Sequence, residues 1–518
     1  MTDENTKSEK KADRKSRRSV LKVAGGSAAL ATMGSLAGCS GGGGGGGEDT
    51  TTEGGDMTTT SGGGGGGTTT GQAQSGVTLR MWLSYITEGG GKKEYTNEIL
   101  GQWQEDTGNT LNIRGVPYTD VVSKFRSARA AGDVPHMVEV MTRPGILAGG
   151  AGLVINDLFQ SSNLADKVSD VVMDGHRVWG SQSTGEKGNL VTIPLGLRPF
   201  LPAYNTNHLE KAGIDKATAR GMSGGSLTSP DVTEGGSHVN NVWKPLKSWG
   251  GGGMSNYFPD STGMKQSDEE YLSGYIPMFG GSKAGVVSVD GTKETLDTEA
   301  GRNAVKWQFR NVEKGYFHSN SINQGDEEVT TQHQEGTLTI NHVQDSTDLW
   351  ANYRSEVPQQ FKNGGYTWGL PYNGGTKSFL SWLPCLGFIS DANWNQARKD
   401  AAIDMLNYWV ADSENALSNA QTLGFVPVNP NAIQEVDWFG KTQQHTEFWR
   451  QAAGGFIENI VPSTIPAVKG ANSITYQIPR RMHQEITQTK SDKGLDQAVA
   501  DATAKYGEEI QAILDRNQ

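Results

Sequence analysis

The stretches VTLRMWLSY (residues 77–85), TLNIRGV (110–116) and HMVEVM (136–141) are short, apolar and rich in β-forming residues, which predicts three strands. Between them, residues 92–107 and 118–131 carry apolar side chains at helical spacing, and each stretch is followed by a glycine. Strand, helix, strand, helix, strand at this spacing predicts a parallel sheet with right-handed crossovers. We therefore expect an α/β fold in which ligands collect at the carboxyl ends of the strands.

The rest of the chain predicts a second group of elements. Residues 190–204 read LVTIPLGLRPFLPAY, and their three prolines favour a segment that crosses between two lobes rather than a central strand. Residues 205–267 are rich in glycine, so mostly loops are expected there. A short strand is expected at 337–341. Helical periodicity predicts further helices at 266–279, 298–314, 396–410, 413–423 and 496–514.

The first 76 residues resemble an export and anchoring segment. Basic residues that include Arg17 and Arg18 precede a short apolar stretch, and the twin arginine resembles a Tat signal. The sequence LAGC at 36–39 resembles a lipobox, in which Cys39 would carry the lipid. An ordinary soluble signal peptide is the alternative. We expect a signal peptide at 1–38 and a flexible Gly/Thr/Ser tether at 39–76.

The composition of the chain excludes some classes of binding partner, covalent cross-link and cofactor. The chain has 518 residues and a formal net charge of −11, and this acidity argues against binding to nucleic acid. It has two cysteines, Cys39 and Cys385, so a lipidated Cys39 would leave no pair for a disulfide in the folded region. No motif for a metal or an organic cofactor is found, and we expect neither.

Several short motifs follow one another along residues 77–518. They are AAGDVPHMV at 130–138, GLVINDLF at 152–159, IPL at 193–195, YN at 204–205, QEGTLTI at 334–340, WGLP at 368–371 and GFVPV at 424–428. Taken in this order, they resemble the extracellular solute-binding proteins of the sugar-binding type (family 1), which are receptors of ABC importers. The stretch 216–267 departs from the family pattern.

The resemblance implies a two-lobed fold like that of periplasmic binding proteins, in which each lobe is a mixed or parallel sheet flanked by helices. Hinge strands would join the lobes, and ligand would be held in the cleft between them. The first lobe would comprise 77–197 and the returning segment 371–428. The second would comprise 198–370, with helices from 429–518. The implied protein is not an enzyme. It is a membrane-anchored monomer outside the cell that hands a sugar, an oligosaccharide or a related polar solute to an importer permease.

Candidate ligand contacts come from the expected sheet edge and from the resemblance. Sugars present apolar C–H faces and hydroxyl groups, which aromatic rings, carboxylates, amides and arginine can bind. For each tryptophan, packing in the core is the alternative, and Arg198 could instead form an ion pair in the hinge. The candidates are Trp82, Ser84, Tyr85, Glu139, Thr142, Arg143, Arg198, Asn341, Gln344, Asp345, Trp350 and Trp382.

Two catalytic or metal-binding alternatives stay open on the sequence. A surface glycoside hydrolase would need two carboxylates, for which Glu139 and Asp345 would be the first pair to test. The acidic runs 268–270 and 326–328 could hold calcium or could be solvated faces. The sequence GMSGG at 221–225 matches the nucleophile-elbow pattern but lacks the strand before it and the helix after it.

Overall fold

The computed structural model describes residues 75–516 except 89–90, 141–142, 169, 222–229, 262–269, 344–348, 350–351, 354–355, 371, 373–378, 430–431, 433–459 and 463–466. These residues belong to a single unit, Thr69–Gln518. The strands are β1 (Thr78–Leu83), β2 (Thr110–Gly115), β3 (Met137–Glu139), β4 (Thr192–Pro194), β5 (Arg198–Pro199), β6 (Ala203–Asn205), β7 (Ile340–Asn341), β8 (Tyr366–Trp368), β9 (Phe379–Trp382), β10 (Cys385–Phe388) and β11 (Ile460–Pro462).

The α-helices differ widely in length, from five residues to 21. They are α1 (Lys92–Thr107), α2 (Val121–Ala130), α3 (Asn156–Gln160), α4 (Asp170–Thr184), α5 (Thr206–Lys211), α6 (Lys216–Arg220), α7 (Lys244–Trp249), α8 (Glu270–Tyr275), α9 (Glu299–Glu313), α10 (Asp326–Glu335), α11 (Pro358–Lys362), α12 (Gln396–Leu406), α13 (Ser413–Leu423), α14 (Ile478–Lys493) and α15 (Leu495–Asp515). Short π-helical segments lie at Val239–Trp243, Asn407–Ala411 and Ser473–Gln477.

The first sheet has the strand order β2-β1-β3-β10-β4. Strand β1 pairs in parallel with β2 and with β3, which confirms the predicted parallel start of the fold. Strand β10 returns from much later in the chain and pairs antiparallel with both β3 and β4, so the complete sheet is mixed. The ends of β1, β2 and β3 therefore lie at one edge of the sheet, where ligand contacts were expected.

The proline-rich segment 192–205 connects three different sheets. Strand β4 belongs to the first sheet, β5 pairs with β9 in a sheet that also holds β11, and β6 lies between β7 and β8 in a third sheet. Pro194 and Pro199 lie on edge strands, where the missing N–H leaves no ladder hydrogen bond unmade. The sequence-based interpretation of this stretch as a crossing segment agrees with the structure.

Two buried clusters of apolar side chains lie on either side of this crossing. The first draws mainly on residues 79–203 and 383–428, and the second mainly on residues 200–343 and 474–514. Helix α9 and the hairpin of α14 and α15 pack into the second core. The single described cysteine, Cys385, is buried in the first core.

The prediction of mostly loops over 205–267 was wrong in part. Helices α5, α6 and α7 lie there, and the side chains of Asn205 and Asp215 cap the first two by accepting hydrogen bonds from His208 N and Thr218 N. These helices have only five or six residues, too few to show a periodic apolar pattern against the glycine-rich background. Helix α12 ends at Leu406 and continues as a π-helical segment to Ala411, rather than as α-helix to 410.

None of the helices in the described ranges has both the length and the apolar composition that a membrane span requires.

Candidate functional site

The carboxyl ends of β1 and β3 bring Glu139 against the backbone that follows β1. Glu139 is the last residue of β3, and its Oε2 accepts hydrogen bonds from Ser84 N at 2.6 Å and Tyr85 N at 3.2 Å. Because β1 and β3 run in parallel, the residues after them meet at the same edge of the sheet. Three of the predicted contacts, Ser84, Tyr85 and Glu139, are thus one local cluster.

Glu139 is a buried carboxyl group in an unusual electrostatic setting. The residue is 2% exposed, and burial raises the pKa of its carboxyl from 4.5 to about 7. The charge of Glu88 raises this pKa further, while the backbone N–H donors and the charge of Arg198 lower it. Its second oxygen, Oε1, has no hydrogen-bond partner among the described residues. A buried carboxyl that titrates near neutral pH is typical of functional sites.

The crossing segment supplies a cation whose charge acts on this carboxyl, and strand β9 places an aromatic ring next to that cation. Arg198 of β5 is 1% exposed and lies opposite Trp382 of β9, with its guanidinium carbon 5.4 Å from the Trp382 ring centroid. The ring of Phe200 meets the ring of Trp382 edge-on, with 4.9 Å between centroids. Since Trp382 is only half-buried, it offers an aromatic surface at the junction of the two cores.

Arg143 joins the end of the first sheet to the C-terminal part of the chain. Its guanidinium carbon lies 4.3 Å from the ring centroid of Tyr118, which follows β2, and 4.9 Å from that of Tyr476. Arg143 Nη1 also donates a hydrogen bond to Tyr476 Oη at 2.8 Å. Tyr476 lies in the π-helical segment Ser473–Gln477. Ile474 and Ile478, two residues before and after it, are buried in the second core. Arg143 therefore links elements of both cores.

Trp82 does not join the Glu139 cluster. Successive side chains of a strand point to opposite faces, and Trp82 is in register with Val138, the neighbour of Glu139. The Trp82 ring lies beneath the guanidinium of Arg114, at 5.2 Å, and lines a groove of about 560 Å³ on the face that carries α2. The structure thus separates Trp82 from the other residues predicted at the end of β1.

Asn341 is also apart from the cluster. It is fully buried, its Nδ2 donates to Thr330 Oγ1 at 3.1 Å, and its Oδ1 accepts from Val343 N at 3.2 Å. Its amide is therefore engaged within its own part of the fold. The remaining predicted positions lie outside the described residues: Cys39, Thr142, Gln344, Asp345 and Trp350.

The sequence-based search missed three aromatic residues of this region. Tyr118 follows β2 and could have been found by the rule that selected Ser84 and Glu139, because all three lie at or after the carboxyl ends of strands of the same parallel group. Phe200 could have been found from its place in the crossing segment. No local signal marks Tyr476, which approaches Arg143 across 333 residues of sequence.

A buried polar network next to β7 was missed as well. Asp260 Oδ1 lies 2.9 Å from His342 Nδ1, and Asp260 Oδ2 accepts a hydrogen bond from Tyr372 at 2.8 Å. The other ring nitrogen of His342 lies 2.8 Å from Tyr275 Oη. Because these polar atoms satisfy one another, the network organises the second core.

Of the alternative acidic and nucleophilic motifs, the structure describes only the acidic run 326–328 in full. Residues 326–328 form the first turn of α10, where Glu328 Oε2 caps the helix start by accepting a hydrogen bond from Gly325 N at 3.0 Å. Residues 268–269 and 222–225 lie outside the described residues. Within the described ranges, no group of three or more His, Cys, Asp or Glu is arranged to hold a metal ion.

Solved structures resemble this fold over most of its length. The sugar-binding protein MalE of Xanthomonas citri has a TM-score of 0.62 at 14% identity, over 85% of this chain and 98% of its own. The cyclic α-maltosyl-1,6-maltose binding protein of Arthrobacter globiformis has a TM-score of 0.61 at 13% identity, over 85% and 100%. The GacH receptor of Streptomyces glaucescens, also solved with acarbose, has a TM-score of 0.60 at 12% identity, over 85% and 99%.

These likenesses confirm the predicted two-lobed fold of periplasmic binding proteins. No curated protein matches the chain in sequence. A family model described as bacterial extracellular solute-binding protein matches residues 98–446, which is more than half of the chain and includes Glu139, Arg198 and Trp382. The chain belongs to the family of bacterial extracellular solute-binding proteins.

Proposed function

We propose that this protein is the substrate-binding receptor of an ABC importer, and that it captures a sugar, an oligosaccharide or a related polar solute. The observation that carries the proposal is the cluster of Glu139, Arg198 and Trp382 at the junction of the two cores. A carboxylate, a guanidinium and an aromatic ring are the groups that bind sugar hydroxyls and apolar sugar faces. Several structurally similar proteins are sugar-binding proteins.

The proposed lobes are 77–197 with 371–428, and 198–370 with helices from 429–518. The two cores support most of this division, because the first draws mainly on 79–203 and 383–428 and the second mainly on 200–343 and 474–514. Buried residues of the proposed second lobe that instead join the first core include Leu349, Tyr353, Tyr366, Trp368 and Leu370. Ligand that touches groups from both lobes would favour a closed arrangement, and its release would need the lobes to reopen. Such a protein changes the position of its ligand and not its covalent structure.

A thermal-shift measurement with a panel of carbohydrates and polyols tests the proposal. A ligand at one hundred times its Kd stabilises the protein by about 2.7 kcal/mol, which raises Tm measurably. Trp382→Ala should abolish the shift, since the half-buried ring of Trp382 lies at the junction. Trp249→Ala is the matched control, because Trp249 is also half-buried but packs against His208 and Tyr257.

Chromatography of the ligand after incubation completes the test, and the oligosaccharide should be recovered unchanged. Failure of every polar solute to raise Tm would refute capture of such a ligand. Shortened oligosaccharides would show that the protein is an enzyme.

We also propose export by the Tat route and lipid anchoring through Cys39 on the outer face of the membrane, with the protein acting as a monomer. The support is sequence alone: twin arginine, the LAGC motif and the Gly/Thr/Ser stretch that follows. Cys39→Ser should move the protein from the membrane fraction to the medium, because stable anchoring depends on the lipid chains. Cys385→Ala is the control, since Cys385 is buried in the first core. Membrane retention of the Cys39→Ser protein would contradict the anchor.

A further inference from the structure

We propose that the second core carries a binding site for a small oxyanion, such as inorganic phosphate or sulfate, separate from the sugar site. The site is a cavity of about 210 Å³ between α9 and residues 234–244, which we name the α9 cavity. The described residues that line the α9 cavity lie outside the crossing segment and away from Glu139 in the chain.

One stripe of helix α9 and its C-cap residue forms a wall of the α9 cavity. Its members recur at spacings of three and four, so they lie on one face of the helix. They are Asn303, Lys306, Trp307, Arg310, Asn311 and Lys314. The ring of Trp307 is held from behind by a hydrogen bond from its Nε1 to Val232 O at 2.8 Å, which fixes the apolar part of the wall.

The lining of the α9 cavity has an excess of positive charge in an otherwise acidic protein. Four cations line it, Lys244, Lys306, Arg310 and Lys314, against one carboxylate, Glu234. Glu234 is paired with Lys314 at 2.8 Å. Lys306 and Arg310 share a single carboxylate outside the lining, that of Asp496, at 3.1 and 3.2 Å. The acidic partners therefore leave unbalanced positive charge at the cavity.

A buried amide lies in the wall of the α9 cavity, and the fold does not use its donor. Asn311 lines the cavity and is 6% exposed, yet its Nδ2 has no hydrogen-bond partner among the described residues. Buried donors are normally paired, so an unpaired one next to a cavity indicates a missing acceptor. Its Nδ2 is closed to solvent in this structure, so the Asn311 side chain would have to turn toward the cavity to donate to a bound anion.

The size and chemistry of the cavity select the class of ligand. Sites for drug-sized ligands have volumes of about 300–1,000 Å³, so the α9 cavity suits a smaller molecule than an oligosaccharide. Arg310 can bind two oxygens of one anion with its planar guanidinium, and lysines add point charges around it. A tetrahedral oxyanion combines this charge with enough acceptors for the amide of Asn311.

Titration calorimetry with inorganic phosphate, on the full chain at constant ionic strength set with chloride, tests the inference. Phosphate should bind with saturation at one site per chain, and sulfate should compete. Lys306→Gln and Arg310→Gln should each raise the Kd for phosphate about tenfold, as expected for the loss of one charge-assisted hydrogen bond. Asn311→Leu should also raise the Kd, and Lys306→Gln keeps the test valid if the buried variant does not fold.

Lys505→Gln is the matched control. Lys505 also forms an exposed ion pair, with Glu485, but it does not line the α9 cavity, so the Kd should stay unchanged. The inference is overturned if phosphate shows no saturable binding, if chloride competes as well as sulfate, or if the three cavity variants bind phosphate like the wild type. Sugar binding to the proposed receptor site should persist in all these variants, so the two proposals fail independently.

Discussion

At the scale of the residue, the properties of Glu139 follow both from its position at the end of a strand and from its buried environment. The sequence puts a carboxylate at the end of a strand, which is a common place for a ligand contact. The fold buries it, gives one oxygen two N–H donors and leaves the other oxygen without a partner among the described residues. A buried carboxyl oxygen without a partner is uncommon in folded proteins, and it makes Glu139 a candidate for the proposed receptor site.

We predict that Glu139→Gln removes a pH-dependent loss of stability. The folded-state pKa of about 7 lies above the ordinary value of 4.5, so the contribution of Glu139 is complete below pH 4.5 and is lost as pH rises through 7. The free energy of unfolding of the variant, relative to the wild type, should increase by up to about 3 kcal/mol from pH 4.5 to 7.5. Urea unfolding across this range measures the difference.

Glu485→Gln provides the control for this measurement. Hydrogen bonding from Lys505 lowers the pKa of Glu485, so its stabilising contribution would instead be lost in acid. Its variant should not gain stability relative to the wild type as the pH rises from 4.5 to 7.5. Parallel pH curves for Glu139→Gln and the wild type would contradict the burial of a carboxyl with a raised pKa.

At the scale of the element, the crossing segment 192–205 matters most. Its strands are two or three residues long, and each is held in a different sheet. Between β4 and β5 the backbone passes so close to residues 425–426 that a Cβ built on Gly196 would lie 2.5 Å from Phe425 Cβ. Glycine is needed here for close approach between two parts of the chain, and not for a turn.

We predict that Gly196→Ala lowers the free energy of unfolding by about 1–3 kcal/mol, the usual cost of an added methyl group in a packed site. The same substitution at Gly101 is the control, since a Cβ there meets nothing within 4 Å on helix α1. Gly101→Ala should be neutral or stabilise by up to about 1 kcal/mol. Guanidinium unfolding of both variants measures the two changes. A Gly196→Ala protein as stable as the wild type would show that the backbone at residue 196 can move away from residues 425–426 at no cost.

The π-helical segment Ser473–Gln477 also connects the two cores. A π-helical turn shifts the register of the side chains that follow, and such turns are frequent at functional sites. Here the segment carries Tyr476 to Arg143 while Ile474 and Ile478 stay in the second core. The contact ties the C-terminal helices to the end of the first sheet.

At the scale of the whole molecule, buried neutral histidines connect stability to pH. Burial lowers the pKa of His176, His238 and His333 to about 3 and that of His483 to about 4. His176 and His333 are paired with Thr192 Oγ1 at 2.7 Å and with Thr339 O at 2.9 Å. The imidazoles act as neutral hydrogen-bonding groups in both cores.

We predict a steep loss of stability in acid. The unfolded chain binds protons at these histidines below the ordinary pKa of 6.5, whereas the folded chain does not until about pH 3–4, so stability falls as pH decreases from 6.5. Each histidine contributes a slope of up to about 1.4 kcal/mol per pH unit, and Glu139 opposes them with one proton. Urea midpoints between pH 4.5 and 7.5 measure the slope.

His483→Gln should reduce this slope by the contribution of one titrating group, up to about 1.4 kcal/mol per pH unit. Glutamine can donate to Gln308 Oε1 in place of His483 Nε2, and it does not titrate. An unchanged slope in the variant would show that His483 is not held neutral in the fold.

The sequence pattern predicted an element correctly where the spacing of its own apolar residues shows which of its sides is buried. The periodicity of 92–107 and 413–423 predicts helices whose bounds the structure reproduces as α1 and α13, and the three opening stretches predict β1, β2 and β3 in their parallel group. The same pattern placed Ser84, Tyr85 and Glu139 at one edge. It could not show that Trp82 faces away, since strand alternation gives two faces without saying which one borders the site.

The sequence by itself determined the α/β class, the parallel start, the crossing prolines and the family resemblance. Only the tertiary structure decided the meeting of Arg198 with Trp382, the contact of Arg143 with Tyr476, and the cavity along α9. The physical reason is that the spacing of apolar residues reports which side of an element is buried. It carries no information about which distant element covers that side.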